Sequence, residues 1–515
     1  MMLNDLSGRS RIIIAIISGA LYMLAFPPFP FGFLTPISLA AVFLLSITAK
    51  SKKEAFLYPF VSGLVSAGGL LYWIPRLMGS GLYVVLIIGM ILLLAYMAMW
   101  VGLVSLATHQ AHRFKPSLAY AVFPIVWIAQ EKLREMGEIS FPWITAGYSF
   151  GSYNTLLQGL SLFGVYFYSL LIAVTAVIII SMLFTIAKKR VPLFQILLLI
   201  VLFVPLYMYG HLRKESFEKS SDKRVRVGII QANIDPLIKW ERGRADSIFN
   251  LHIEMTKQAA LSVPKPDLIL WPESALPVYF SLEGRYNLIM HRLIDSLGMP
   301  VIFGSLDITF GEKHDDPRKY YNSVFYKAPF SNFVRYDKIK LLPFAEVLPF
   351  EGIFPIISRV NLGEADFTKG DTLMLFNAGG IKVFAPICYE VVYQEAIREF
   401  VKRGGTLMAH VTNDGWFGRS AMPYQHLNIA LFRSIECGIP LARCANTGVS
   451  ASADACGRVL NSTPIYENRM LIADIPEKSV STLFTKTGDL IGKTALLLTF
   501  LLLICRLSLR LIWKK

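Results

Sequence analysis

Long hydrophobic runs fill residues 1–210 and return near the end of the chain, whereas residues 211–487 mix apolar and polar positions. A helix that crosses a bilayer needs about 20 mainly apolar residues. Eight runs come near that length and predict eight transmembrane helices, centred on residues 11–26, 33–49, 55–74, 82–108, 118–130, 155–187, 191–210 and 488–511. The run at 118–130 is the weakest, because it is short and ends in polar residues.

The region between the apolar runs has the alternating pattern of an α/β domain. Short β-branched runs predict buried strands at 225–230, 267–271, 301–304 and 382–385. Stretches with helical spacing lie at 244–261, 284–297, 391–403 and 424–437. Such alternation favours a sheet covered by helices. We therefore predict a membrane domain over 1–210, an α/β domain over 211–487 and a C-terminal transmembrane helix with a basic tail over 488–515, with linkers at 211–222 and 475–487.

Composition and charge support a membrane protein. Of 515 residues, 54% are hydrophobic and 17% charged, which excludes a disordered chain and is too apolar for an ordinary soluble enzyme. The net charge of +15 comes largely from residues that flank the apolar runs, so it indicates membrane topology rather than nucleic-acid binding. With the N-terminus inside, fourteen Lys and Arg residues fall in inner segments and three in outer loops, namely Arg76, Lys132 and Arg134. This bias predicts that residues 211–487 lie outside the cytoplasm.

The five cysteines are too few and too irregularly spaced for a disulfide scaffold or a zinc site, and we expect neither a metal nor a cofactor. Cys388 follows the predicted strand at 382–385 and precedes a helix expected to begin near Val391. A helix N-terminus favours the thiolate, which predicts a lowered pKa for this cysteine. Taken alone, however, a cysteine in this position is more often a small packing residue.

Three further charged residues lie near predicted strand ends. Glu273 follows the strand at 267–271, and Lys338 and Glu346 lie on either side of an apolar stretch. Each has an ordinary structural reading by itself, as a helix cap, a solvated surface charge and a loop carboxylate, respectively.

Together, Glu273, Lys338 and Cys388 resemble the signature of the carbon–nitrogen hydrolase (nitrilase) superfamily, in which a Glu, a Lys and a Cys each follow a strand in this order. With several spans before that region and one after it, the chain is similar to the bacterial apolipoprotein N-acyltransferase family over nearly its whole length. Further matching segments are Gln231–Ile234 with Trp240, Tyr321–Ser323, Leu342–Phe344, Cys388–Glu390 and Asn413–Gly418. One departure is Ala345, where the family usually has glycine.

The resemblance implies a fold and a set of roles. The fold would be a multi-span α-helical membrane domain plus an extracytoplasmic α/β nitrilase-like domain, an αββα sandwich. Glu273 would be the general base, Cys388 the nucleophile and Lys338 the oxyanion donor, with Glu346 in support. The substrate-binding residues would be Trp240, Asn322, Tyr389 and Glu390.

The implied enzyme is an N-acyltransferase that works in two half-reactions. An acyl chain would pass from a membrane phospholipid to Cys388 as a thioester, and then to the N-terminal amine of a diacylglyceryl-cysteine apolipoprotein, giving triacylated lipoprotein. The expected partners are therefore the phospholipid donor, the apolipoprotein acceptor and the lipid bilayer. The protein would be a monomer in the bacterial inner membrane, with its catalytic domain in the periplasm.

Two other functions remain open from the sequence. A membrane-tethered amidase would use the same three residues with water in place of the amine. A transporter or scaffold with a degenerate domain is disfavoured, because the apolar runs hold almost no charged residues near mid-membrane. We also expect the Pro-interrupted apolar segment that contains Phe350, Ile353, Phe354 and Ile356 to form a mobile arm that dips into the bilayer.

Overall fold

The computed structural model describes residues 6–76, 83–218, 223–311, 318–350 and 367–512. The chain divides into two compact units, one made of Met1–Pro75, Leu82–Arg213 and Thr487–Lys515 and the other of Arg76–Gly81 and Lys214–Lys486. Most of the expected apolar arm, including Ile353, Phe354 and Ile356, lies outside the described residues.

The first unit is helical. Its helices are α1 (Gly8–Leu24), α2 (Leu34–Thr48), α3 (Lys52–Leu71), α4 (Tyr83–Phe114), α5 (Leu118–Leu133), α6 (Asn154–Leu157), α7 (Leu160–Phe163), α8 (Val165–Ala187), α9 (Leu193–Glu218, its last residues in the second unit) and, after the second unit, α15 (Leu490–Ile512). Within the described ranges, four helical segments are long and apolar enough to cross a membrane, namely Lys52–Leu71, Ile87–Phe114, Val165–Ala187 and Leu193–Glu218.

Helix forms in each of the eight predicted runs, but two boundaries differ. The run at 155–187 is not one helix, because Gly164 takes a φ of +72° and separates the short helices α6 and α7 from α8. Helix α9 does not stop near residue 210 but continues to Glu218, so the expected linker at 211–222 is partly helical. Lys and Glu residues at the end of α9 have high helix propensity, so the helix continues beyond the apolar stretch.

Small residues allow close contacts inside the helical unit. A Cβ atom on Gly63 of α3 would lie 2.7 Å from the Cα atom of Ala98 in α4, so these helices meet at a glycine. The hydroxyl of Ser18 lies 3.2 Å from that of Ser38 and 2.9 Å from that of Ser62, which links α1, α2 and α3. Small side chains and hydroxyl contacts are typical of helix packing in membranes.

The second unit contains two β-sheets. Its strands are β1 (Arg224–Gln231), β2 (Leu268–Leu270), β3 (Leu276–Tyr279), β4 (Val301–Thr309), β5 (Lys319–Lys327), β6 (Val334–Asp337), β7 (Phe376–Ala378), β8 (Ile381–Phe384), β9 (Leu407–Thr412), β10 (Leu441–Ala445), β11 (Ala451–Ala453), β12 (Val459–Ser462) and β13 (Arg469–Pro476). The first sheet has the order β13-β1-β2-β4-β5-β6, with β3 paired to β4, and the second has the order β12-β11-β10-β9-β8-β7.

Helices pack against the sheets, and the sheets face each other. The helices are α10 (Arg244–Ala260), α11 (Gly284–Leu297), α12 (Gln394–Lys402), α13 (Met422–Cys437) and α14 (Leu483–Thr487). Residues of α10 and α11 join the strands of the first sheet in one hydrophobic core, and α13 packs on β10 of the second. The thiol of Cys444 in β10 contacts the carbonyl oxygens of Ile230 and Leu270 in the first sheet, at 3.3 and 3.4 Å. The predicted αββα sandwich is therefore confirmed.

The four predicted strands and four predicted helices of this region are present, as β1, β2, β4 and β8 and as α10 to α13. The ladders β1–β2–β4 and β8–β9–β10 are parallel. Since parallel strands end at the same edge of a sheet, residues that follow them can meet. Glu273 follows β2 and Cys388 follows β8 in this way, whereas Lys338 follows the antiparallel strand β6.

Candidate active site

The structure brings together the three residues that the sequence singles out. The ammonium nitrogen of Lys338 lies 3.7 Å from Oε1 of Glu273, and the Cys388 thiol interacts electrostatically with both charges. Glu273 is 7% exposed and Lys338 1% exposed, so the three groups meet in an environment largely closed to solvent. A carboxylate, an ammonium and a thiol at one buried point are the groups that covalent acyl chemistry needs.

Two hydrogen bonds fix the Glu273 carboxylate. Its Oε1 accepts from the side-chain amide of Asn322 at 2.8 Å, and its Oε2 accepts from the backbone N–H of Asn413 at 2.8 Å. Asn322 comes from β5 and Asn413 follows β9, so each sheet supplies one donor. The sequence did not predict Asn413 as a site residue, although it begins the matching Asn413–Gly418 segment.

Lys338 is held by the carboxylate of Glu346. Its Nζ donates to Oε1 of Glu346 at 2.8 Å, and Oε2 of Glu346 accepts from the backbone N–H of Leu342 at 2.8 Å. The Asn322 amide also donates to Oε1 of Glu346 at 3.1 Å, so it bridges the two carboxylates. Burial lowers the pKa of Lys338, but Glu346 and Glu273 outweigh it and raise that pKa above its usual value, which keeps the ammonium charged.

Cys388 lies at a sharp backbone turn. Its φ of +50° is in the left-handed region, which costs a non-glycine residue about 1–3 kcal/mol. It begins a short 3₁₀ helix, Cys388–Val392, and α12 begins only at Gln394 rather than near Val391. Cys388 is partly exposed at the end of a strand, whereas Glu273 and Lys338 are buried.

The prediction of a lowered pKa for Cys388 is wrong. Burial and the negative charge of Glu273 raise the pKa of the thiol above its usual value, and the nearby Lys338 only partly offsets them. The expected helix N-terminus is not at Cys388, since a single 3₁₀ turn replaces it and carries little dipole. A raised pKa favours the neutral thiol at neutral pH.

Glu390 ties the Cys388 segment to the Lys338 segment. Its Oε1 accepts from the backbone N–H groups of Ile339 and Lys340, at 2.7 and 3.0 Å, and its Oε2 from that of Ile387 at 2.8 Å. The Tyr336 hydroxyl lies 2.9 Å from both oxygens. Because these donors engage the carboxylate, we assign Glu390 to positioning rather than to the substrate contact that the resemblance implies.

Two further residues of the predicted substrate-binding set, Trp240 and Tyr389, are half-buried and buried, respectively. Trp240 is half-buried in the loop after β1, and its indole N–H has no hydrogen-bond partner among the described residues. The loop is held because the Asn446 side chain bonds both the N–H and the carbonyl of Ile234, at 2.9 and 2.7 Å. Tyr389 follows the cysteine, is buried and packs edge-on against Tyr393.

Comparison with known proteins finds a family match for each part of the chain. Residues 18–178 match the family model for the apolipoprotein N-acyltransferase N-terminal domain, and residues 226–483 match that for carbon-nitrogen hydrolase. The apolipoprotein N-acyltransferase of Geobacter metallireducens is 31% identical over 494 residues, covering 94% of this chain and 93% of that protein.

Two further relatives carry the same description. The protein from Haemophilus influenzae is 30% identical over 505 residues, covering 95% of this chain and 94% of its own length. The protein from Photobacterium profundum is 27% identical over 497 residues, covering 93% of this chain and 92% of its own length. The similarity thus spans both compact units.

Replacement of Glu390 by glutamine should weaken the catalytic unit. In either orientation the new amide NH₂ faces backbone N–H donors, so at least one buried hydrogen bond to a charged acceptor is lost, at a cost of about 2 kcal/mol. We expect a lower thermal unfolding midpoint in detergent. As a control, Tyr336→Phe removes the hydroxyl donor but leaves every backbone donor paired with the carboxylate, so it should lower the midpoint less. Equal midpoints for wild type and Glu390→Gln would contradict this assignment.

Replacement of Glu273 by glutamine should make the Cys388 thiolate easier to form. The carboxylate raises the pKa of the thiol, so its removal lowers that pKa and moves alkylation of Cys388 by iodoacetamide to lower pH. Peptide mass spectrometry after timed alkylation measures this for Cys388, with the wild-type enzyme alkylated in parallel as the reference. A shift to higher pH would show that Glu273 does not act on this thiol through its charge.

Proposed function

We propose that this chain, which belongs to the apolipoprotein N-acyltransferase family, carries a fatty acyl group as a thioester on Cys388. It is an enzyme of lipoprotein N-acylation, and its long apolar helices make it a membrane protein. The observation that supports the thioester most directly is the buried meeting of Glu273 and Lys338 with the Cys388 thiol.

In the first half-reaction, Cys388 attacks the ester carbonyl of a membrane phospholipid. The sulfur forms a bond to the carbonyl carbon, and Glu273 takes the thiol proton. The tetrahedral intermediate then breaks its C–O bond, and the proton passes from Glu273 to the leaving oxygen. The products are the acyl-enzyme and a lysophospholipid, with atoms and charge in balance.

In the second half-reaction, the free N-terminal amine of a diacylglyceryl-cysteine apolipoprotein attacks the thioester. The nitrogen forms a bond to the carbonyl carbon, and Glu273 takes a proton from the amine. The C–S bond breaks, and the proton returns to the sulfur. The amide product is the triacylated lipoprotein, and the thiol is ready for another cycle.

Lys338 supplies the positive charge that the reaction needs. Each half-reaction passes through an intermediate with negative charge on the former carbonyl oxygen, and a fixed donor beside it lowers the barrier. The two carboxylates keep Lys338 charged, and the hydrogen bond to Glu346 fixes the ammonium. Glu346 therefore acts in support, as a positioning residue.

Apolar side chains beside site residues support a lipid substrate rather than a small amide. Leu237 and Ile238, just before Trp240, are 60% and 41% exposed, and Phe344, two residues before Glu346, is 58% exposed. Exposed apolar surface is typical of sites that meet lipid, and these side chains lie close in sequence to site residues.

We place the enzyme in the bacterial inner membrane with Lys214–Lys486 in the periplasm, because basic residues concentrate in the segments expected on the cytoplasmic side. Both substrates would reach it from the outer leaflet. We propose that one copy of the chain suffices, since the three reactive groups come from a single chain.

Replacement of Cys388 by alanine should abolish acyl transfer, because no other group in the site can form the thioester. Purified enzyme incubated with phospholipid alone should gain one acyl chain on Cys388, with one equivalent of lysophospholipid. Intact-mass and peptide mass spectrometry measure the adduct, and lipid analysis measures the lysophospholipid. Cys388→Ser should retain little activity, since the hydroxyl is a weaker nucleophile at neutral pH.

The matched control is Cys505→Ala, which removes an exposed thiol of α15 and should leave both half-reactions unchanged. Triacylated product from Cys388→Ala, or an acyl group on another residue, would contradict the thioester. Release of ammonia from soluble amides without any phospholipid would favour a tethered amidase instead.

A further inference from the structure

Four buried polar residues lie directly behind the Cys388 backbone. We call His410, Asp414, His426 and Arg443 the carbonyl clamp. His410 lies in β9, Asp414 just after it, His426 in α13 and Arg443 in β10. All four are at most 1% exposed, and the reaction proposed above uses none of them. Buried polar groups at this density normally have a specific partner.

That partner is the backbone carbonyl of Cys388. Its oxygen lies 3.0 Å from Nε2 of His410 and 3.1 Å from Nε2 of His426. The residue itself is in the left-handed conformation, with a φ of +50°. Non-glycine residues keep this conformation only when their surroundings hold it, and such positions concentrate at active sites. The contacts of two histidines with one carbonyl oxygen provide surroundings of this kind.

Arg443 determines which nitrogen of His410 carries the proton. Its Nη1 lies 2.8 Å from Nδ1 of His410. Because a guanidinium can only donate, Nδ1 must accept, and the proton of the neutral ring is on Nε2. His410 therefore donates to the Cys388 carbonyl.

Asp414 holds the other two members in place. Its Oδ2 accepts from Nη2 of Arg443 at 2.7 Å, and its Oδ1 lies 2.9 Å from Nδ1 of His426. A Cβ atom on Gly448 would lie 2.2 Å from Oδ2 of Asp414, so only glycine leaves room for the carboxylate here. Nη2 of Arg443 also lies 3.3 Å from Nδ1 of His426. Since Asp414 and the Cys388 carbonyl are both acceptors, a neutral His426 donates to only one of them, and it donates to the Cys388 carbonyl when its Nδ1 accepts from Arg443.

We propose that the carbonyl clamp positions the nucleophile: His410 and His426, oriented by Arg443 and Asp414, hold Cys388 in its left-handed conformation and so keep the thiol beside Glu273 and Lys338. These four are positioning residues, because they act through Cys388 rather than on substrate. The inference rests on the proposed function, in that it takes Cys388 as the nucleophile.

The test exploits the different reach of two amides. In His410→Asn and His426→Asn, the shorter amide occupies the Nδ1 position, so it can still bond Arg443 or Asp414 but cannot reach the Cys388 carbonyl. In His410→Gln and His426→Gln, the longer amide places an N–H donor at the Nε2 position. We expect each Asn variant to slow thioester formation from phospholipid about tenfold, as for one lost hydrogen bond, with KM for the phospholipid unchanged. Each Gln variant should recover most of the rate.

The control is His252→Asn. His252 is equally buried, in α10, and its Nδ1 bonds the carbonyl of Ile248 at 2.8 Å, away from Cys388. It should lower the thermal unfolding midpoint as the clamp variants do, yet leave the rate of thioester formation unchanged. This separates positioning from a general effect of losing a buried imidazole.

The possible outcomes are distinct. Slow Asn variants with recovered Gln variants support the clamp. Asn variants as fast as wild type, or Asn and Gln variants slowed alike in proportion to their loss of thermal stability, overturn it. If wild type itself forms no thioester, the proposed function fails, and the rate of Cys388 alkylation by iodoacetamide tests the clamp instead. That rate should then differ from wild type in the Asn variants only, and equal rates in all variants would overturn the clamp.

Discussion

A buried ammonium between two carboxylates is the interaction on which the rest of the site depends. Lys338 is 1% exposed, and a lone charge there would cost several kcal/mol. Glu346 at 2.8 Å and Glu273 at 3.7 Å compensate it, and the Asn322 amide donates to both carboxylates. Each of these charges is stable in a buried position only when its partners are present. Folding therefore brings together the segments that carry them.

Glu390 extends this constraint to Cys388. Its carboxylate accepts from the backbone on either side of the site, at Ile339 and at Ile387. Burial raises the pKa of Glu390, and the backbone N–H donors oppose that rise. A structural carboxylate thus couples the position of the Lys338 segment to that of Cys388, and the site behaves as one polar network in which each member depends on the others.

The sequence predicts the strands that are buried on both faces. It does not predict the features of the site that depend on contacts between distant segments. Parallel strands such as β1 and β4 are β-branched runs that can be recognised directly. Strand β5 was missed, because Asn322 and other polar residues interrupt its pattern. The sequence also reveals the identity and order of Glu273, Lys338 and Cys388. The sequence does not reveal the Asn413 hydrogen bond or the raised pKa of the thiol, since both depend on groups far apart in the chain.

The raised pKa of the thiol determines what Glu273 has to do in the proposed reaction. A thiol that is neutral at rest must lose its proton during attack, and a thiolate of high pKa is a poor leaving group unless it regains one. In the proposed reaction, the same carboxylate acts as base when the thioester forms and as acid when it breaks. Its hydrogen bonds from Asn322 and Asn413 hold it in one place for both steps. Under the proposed reaction the protein can thus remain fixed through the cycle while only the acyl group and its partner change.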